Sequence, residues 1–251
     1  MHPVLFKIGP ITIYTYGVFV FLGVITTYWF SLKEAKKLRL DENKFSSLFF
    51  WTVIWGFIGA RLLYVVVEWR WLLEHPFNTL FSRSGFVFYG GIITGFVVFY
   101  ILNKRYEWDF RRIADIVGVY IPLGHAIGRL GCFSYGCCYG KPTTSWIGVL
   151  FPPSSPAGMV GEPVIPTQLI SSFFLFLIFI VLSLFKKHKR FDGQIMLLYF
   201  ILYGIFRFII EFFRGDPRGF IGVLSTSQWL SLLVVVFSFY MWAKINRFMQ
   251  E

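Results

Sequence analysis

The sequence predicts an all-α integral membrane protein of about seven transmembrane helices, and two observations carry that expectation. Of the 251 residues, 56% are hydrophobic, 15% are charged and 32 are phenylalanine. A soluble domain of this length could not bury so much apolar surface. The apolar residues also fall into seven stretches, near 13–32, 45–67, 85–102, 113–130, 168–185, 192–210 and 226–243. Most reach the ~20 residues that cross ~30 Å of hydrocarbon. In the fourth, Pro122, His125 and Arg129 interrupt the run. They predict a broken or tilted span, which is tolerated where backbone faces protein or water instead of lipid. No repeat of fixed period appears, so the chain reads as one polytopic domain over 1–251 with a loop region near 131–167. MHPVLFKIGP has no basic n-region and no small-residue cleavage site follows it, so the first span reads as retained.

Charge predicts the orientation. The loops 33–44, 103–112 and 186–190 and the C-terminal tail together carry fifteen Lys/Arg. The other side carries six, namely Lys7, Arg70, Arg83, Lys141, Arg214 and Arg218. Positively charged loops stay in the cytoplasm. That rule puts the C-terminus inside, the N-terminus outside, and the loops 68–84, 131–167 and 211–225 on the outer face. Much of the net charge of +11 is this topological bias and contact with anionic headgroups. No basic soluble domain exists to bind nucleic acid.

Arg61, Arg129 and Arg207 lie inside apolar stretches. A guanidinium stays charged, and placing one at bilayer depth costs at least ~2.5 kcal/mol. Arginine so placed faces the protein interior or a cavity and binds an anion or a carboxylate. His125 precedes Arg129 by one helical turn, and the glycines between 124 and 140 let backbone approach a ligand closely. Arg207, Glu211 and Arg214 are spaced to share one helical face, where Glu211 can orient Arg207. Arg61 follows Gly56 and Gly59 and has Glu68 or Glu211 as candidate partners. Tyr89 precedes Gly90 and Gly91, which open space beside its phenol, and Tyr16-Gly17 repeats that arrangement. Against these functional readings stand an interfacial arginine, a hydrogen-bonded core histidine, an ion network between helices, and aromatic-belt tyrosines.

Cys132, Cys137 and Cys138 form C-x4-C-C. The spacing meets no standard zinc pattern, and His125 is the only nearby nitrogen ligand. A disulfide from Cys132 to Cys137 or Cys138 is the expected structural use in an oxidising compartment.

Six ordered segments resemble one family. GRLGCFSYGCCYGKPT, at 128–143, resembles the signature of bacterial prolipoprotein diacylglyceryl transferases, roughly G-R-x-G-N/C-F-x-x-G-x-x-x-G. YTYGVFVFLG resembles the family's first-span motif, GARLLYVV its second-span arginine motif, and GFVFYGGIITG the stretch before its third span. IPTQL resembles H-P-S/T-Q-L, and YGIFRFIIEFFRGD resembles Y-G-x-x-R-x-x-x-E-x-x-R. Tyr89, Cys132, Cys137 and Ile165 stand where some members have His, Asn, Glu and His.

The resemblance implies transfer of the diacylglyceryl group of phosphatidylglycerol to the lipobox cysteine thiol of a preprolipoprotein, with release of glycerol phosphate. It implies a multi-pass enzyme of the bacterial inner (cytoplasmic) membrane whose partners are phosphatidylglycerol, the lipobox segment and membrane lipids. Matched by motif, Arg129, Arg207, Tyr89 and Tyr16 would be catalytic. Arg129, Arg61, Gly140, Glu211, Arg214, Gly90 and Gly91 would bind lipid. The base is open among Tyr89, His125 and water, and no metal or other cofactor is expected, because no phosphate-binding loop or metal-ligand cluster appears in the sequence. The rival readings are an anion or lipid transporter and a membrane thiol oxidoreductase using Cys132, Cys137 and Cys138. The lack of an internal repeat speaks against the transporter.

Overall fold

The computed structural model describes residues 4–9, 11–77 and 85–249. Arg83, counted above among the outer charges, lies outside them. Each of the seven apolar stretches is a helix. They are α1 (Thr15–Lys37), α2 (Glu42–Val67), α4 (Phe88–Arg105), α5 (Phe110–Tyr135), α6 (Thr167–Phe185), α7 (Gln194–Ile210) and α8 (Thr226–Phe248), with a short α3 (Trp69–Glu74) after α2. Among the described residues, six are long and apolar enough to cross a membrane. The exception is α4, whose 18 residues end in Asn103, Lys104 and Arg105. The protein is an all-α membrane protein, with two small hairpins that the apolar pattern did not announce. These are β1 (Val4–Ile8) with β2 (Ile11–Tyr14), and β3 (Phe220–Ile221) with β4 (Leu224–Ser225). The fourth stretch is not broken: α5 runs through Pro122 without interruption.

Polar residues at the helix ends set the boundaries. Asp41 accepts from the Lys44 amide at 2.9 Å and opens α2. Ser225 and Gln228 exchange backbone bonds in a capping box that opens α8. The described residues form two compact units, Met1–Ser31 with Ala114–Glu251, and Leu32–Ile113.

In the first unit, Val119 and Tyr120 of α5, Ile178 and Leu182 of α6, and Ile195 and Tyr199 of α7 make one buried core. Phe30 of α1 stacks on Tyr120 with ring centroids 5.6 Å apart. The crossing of α1 and α5 needs glycine. A Cβ on Gly124 would lie 2.6 Å from the Gly23 carbonyl oxygen, and one on Gly131 would lie 3.1 Å from that of Tyr16. Small residues thus bring the first half of α1 against the second half of α5. Thr27 donates to the carbonyls of Gly23 and Tyr120, closing the same seam.

The start of α7 is capped from α5. The buried Asp115 carboxylate accepts from the amides of Gly193 (2.8 Å) and Met196 (3.0 Å) and pairs with Lys189 at 3.1 Å. A carboxylate at a helix N-terminus satisfies orphan amides and the helix dipole together.

In the second unit, α2 packs on α4 through glycines. A Cβ on Gly91 would lie 2.9 Å from the Gly56 carbonyl oxygen, and one on Gly90 would lie 2.6 Å from Leu63 Cβ. Thr94 donates to the Trp55 carbonyl at 2.9 Å.

Candidate active site

Arg129 sits in the last two turns of α5. It is half-buried, and its Nε is closed off from solvent with no hydrogen-bond partner among the described residues. The Tyr203 phenol of α7 lies within hydrogen-bonding reach of the guanidinium. His125, one turn earlier, packs its ring against Tyr203 at 5.3 Å and feels the charges of both Arg129 and Arg207. A Cβ on Gly128, the residue before it, would meet nothing within 4 Å. Tyr16, in the first turn of α1, faces the Tyr135 ring at 6.4 Å and lies near Arg129 and the three thiols.

Arg207, on the last turn of α7, is held from two directions. Its Nη1 is 2.6 Å from Glu211 Oε2, and its Nη2 donates to Ser227 Oγ at 2.9 Å. The Glu211 contact is an ion pair, not an aligned hydrogen bond, and neither Glu211 oxygen has an aligned donor among the described residues. A guanidinium has five donors, so this arrangement fixes Arg207 without exhausting it.

The shared face expected for Arg207, Glu211 and Arg214 is corrected here. The α-helix stops at Ile210, and Glu211–Phe213 is a 3-10 turn. Arg214 is therefore swung away and clamps Asp216 with two bonds of 2.7 and 2.8 Å. Arg218 takes the place expected for Arg214, reaching Asp216 at 3.0 Å and Glu211 at 4.0 Å. The result is a relay of Arg207, Glu211, Arg218, Asp216 and Arg214, buried at Glu211 and Arg214 and half-buried at the others. Burial pushes the Asp216 carboxyl above its ordinary value despite the Arg214 clamp. Arg218, Asp216, Ser227 and Tyr203 were missed in the sequence, where the first two read as loop charges. The alternating charges of FRGDPRG were the available signal.

Gly140 sits where three segments meet. Its amide donates to the Ile165 carbonyl at 2.9 Å, it bridges to Arg214, and the Lys141 amide reaches the Phe213 carbonyl at 2.8 Å. A Cβ on Gly140 would lie 2.7 Å from Ile165 Cβ, so no other residue fits without a shift. The loop that follows is folded about its own buried Phe151, Ala157 and Val164. It presents Trp146, Leu150 and Met159 to its surroundings.

The expected disulfide is not formed. Cys132, Cys137 and Cys138 are all free thiols, and their Sγ atoms lie within 4.8 Å of one another. Thiol hydrogen bonds from Cys132 and Cys137 hold the Cys138 thiol below its ordinary value, with Arg214 and Arg129 acting in the same direction.

Arg61, Tyr89, Gly90 and Gly91 belong to the second unit. Arg61 donates to the Gly85 carbonyl at 2.8 Å and lies over the rings of Tyr64 and Phe86. Tyr89 is half-exposed beside Phe88. Gly90 and Gly91 do not open space beside that phenol: the room their missing side chains leave is taken by Gly59, Leu63 and Gly56 of α2.

The sequence profile of the family described as Prolipoprotein diacylglyceryl transferase matches residues 3–244. The chain belongs to that family. It is 37% identical over 251 residues, 100% of both chains, to the phosphatidylglycerol–prolipoprotein diacylglyceryl transferase of Clostridium tetani. It is 38% identical over 238 residues to the second such enzyme of Clostridium perfringens, covering 94% of this chain and 92% of that one. The Finegoldia magna enzyme of the same name is 36% identical over 239 residues, with 94% and 92% covered. The transporter and thiol oxidoreductase readings gain no support from these matches.

Proposed function

We propose that this chain transfers the diacylglyceryl group of phosphatidylglycerol to the lipobox cysteine thiol of a preprolipoprotein. The relatives' names carry both the phosphatidylglycerol and the prolipoprotein. The observation that carries the reading furthest is the pair of constrained guanidiniums in one unit. Arg129 has a buried Nε with no partner among the described residues, and Arg207 is fixed by Glu211 and Ser227.

The client's sulfur attacks the glyceryl carbon, the carbon–oxygen bond to phosphate breaks, and glycerol phosphate leaves with the electron pair. The leaving phosphate gains negative charge as that bond breaks. Preorganised guanidiniums in a low-dielectric site stabilise such charge most where it develops. An apolar groove of about 450 Å³ lies between α5 and α6, lined by Leu123, Ile127 and Leu130 of α5 and Leu169, Phe173 and Phe176 of α6. An acyl chain in this groove would keep its apolar contacts in the unit that carries Arg129.

Tyr16 takes a catalytic role because it brings a phenol to the Arg129 end of α5. Glu211 and Arg214 act through the relay that fixes Arg207, and Gly140 sets the backbone beside it. The catalytic role of Tyr89 and the lipid-binding roles of Arg61, Gly90 and Gly91 rest on their motifs. We assign the enzyme to the bacterial inner membrane on its family, and the loop charges support seven spans with the N-terminus and the Arg129 end of α5 toward the outer face.

The test is purified protein, phosphatidylglycerol and a lipobox peptide, read by mass spectrometry. A diacylglyceryl adduct on the peptide cysteine is expected. Its absence with folded protein overturns the reading.

A further inference from the structure

The transfer uses the client's sulfur, so the three cysteines of the chain are left over. They come from two local structures. Cys132 is on the last turn of α5, and the chain then reverses at Gly136, whose φ is +79°. Cys138 itself has φ +65°, a conformation non-glycine residues adopt uncommonly. Strain of this kind persists where the surroundings over-determine it. Here the turn is tied at several points. The amides of Gly136 and Cys137 both donate to the Cys132 carbonyl, at 2.9 and 3.2 Å. From the start of α6, Thr167 donates to the Cys138 carbonyl at 2.7 Å and Gln168 to the Cys137 carbonyl at 2.8 Å, and both side chains are buried.

The outcome is a triangle of sulfurs, not a pair. All three Sγ atoms lie within 4.8 Å of one another. Tetrahedral metal–thiolate bonds of ~2.3 Å place sulfurs roughly 3.8 Å apart, so the triangle needs only a small contraction. The chain supplies no fourth ligand within that cluster among the described residues, which leaves one coordination position open. Thiolates select soft or borderline cations such as Cu⁺ and Zn²⁺ over Mg²⁺ or Ca²⁺. Arg129 and Arg214 are close enough to offset thiolate charge.

We propose that Cys132, Cys137 and Cys138 form a tris-thiolate site for one thiophilic cation of the Zn²⁺ or Cu⁺ class. Binding releases the thiol protons to solvent, changes no oxidation state, and leaves the fourth position to water or an external donor. The site stands whether or not the transfer reading does, because its evidence is the sulfur geometry alone.

The experiment uses the full chain in detergent micelles, reduced, stripped with chelator, and titrated with Co²⁺. One Co²⁺ per chain is expected, with thiolate-to-cobalt charge-transfer absorbance that Zn²⁺ bleaches. Cys132→Ser, Cys137→Ser and Cys138→Ser should each weaken binding by about tenfold or more, as even outer-sphere changes do. A second readout needs no variant: Zn²⁺ should protect all three thiols of the unaltered protein from alkylation, counted by mass spectrometry. Absence of the charge-transfer band, its survival in the triple serine protein, or alkylation unaffected by Zn²⁺ would each overturn the proposal.

Discussion

In the proposed transfer, Arg129 and Arg207 are the residues on which the chemistry turns. Each has donors left after its structural contacts, which the proposal gives to the leaving phosphate. Losing one charge-assisted contact to a developing anion costs about 3 kcal/mol or more, a factor of ~10² in rate. Arg129→Ala and Arg207→Ala are therefore expected to lower transfer at least that far while the protein still inserts and melts normally. Near-normal turnover in either variant would remove the guanidinium pair from the mechanism. Ser227 gives a finer test, since its hydroxyl is the neutral half of the clamp on Arg207. Ser227→Ala should lower kcat more than it raises KM, because it loosens the position of Arg207 without removing its charge. The cysteines behave differently. A protein with serine at 132, 137 and 138 should retain measurable transfer, because the attacking sulfur is the client's. Complete loss in a folded triple variant would return the thiols to the chemistry.

At the scale of elements, the site depends on how three chain segments are pinned to one another. Gly140 has Ile165 and Phe213 at contact distance, and a methyl group there must push backbone aside. Overpacking of this kind costs roughly 1–3 kcal/mol. Gly140→Ala should therefore lower both the midpoint of thermal unfolding and the transfer rate, because Arg214 is bridged to the same residue. The start of α7 depends on α5 in a comparable way. Asp115→Ala leaves the Gly193 and Met196 amides without acceptors and Lys189 without one of its two carboxylates. Unsatisfied buried groups cost about 1–3 kcal/mol each. The variant is expected to melt early in detergent, and an unchanged melting curve would show that the cap adds nothing. The apolar stretches found all seven helices, six of which are long and apolar enough to cross a membrane. The sixth stretch also ended at 210, but the spacing of Arg207, Glu211 and Arg214 read as one helical face because FIIEFF continues the helical pattern, whereas the chain turns into a 3-10 helix at Glu211.

At the scale of the molecule, the loop charges predict which side each end faces. Fifteen Lys/Arg against six is a strong bias. Single cysteines at positions 145 and 220, introduced into a protein lacking the native three, are expected to react with an impermeant reagent from the outer side only. Reaction from the cytoplasmic side alone would invert the topology and carry the site to the wrong leaflet.

The sequence by itself determined the class, the helices and the family. Lipid demands long apolar segments, and six ordered motifs are unlikely to coincide by chance. It also marked the two arginines, because a charge at bilayer depth stands out against its neighbours. Only the tertiary structure decided their partners. Arg218, not Arg214, completes the relay to Glu211, and Gly90 and Gly91 pack against α2. Three cysteines that fit no metal spacing along the chain come within 4.8 Å in space. Each of these outcomes depends on where a helix stops or how closely two helices cross. Those are set by contacts between residues far apart in the chain, which local spacing does not record.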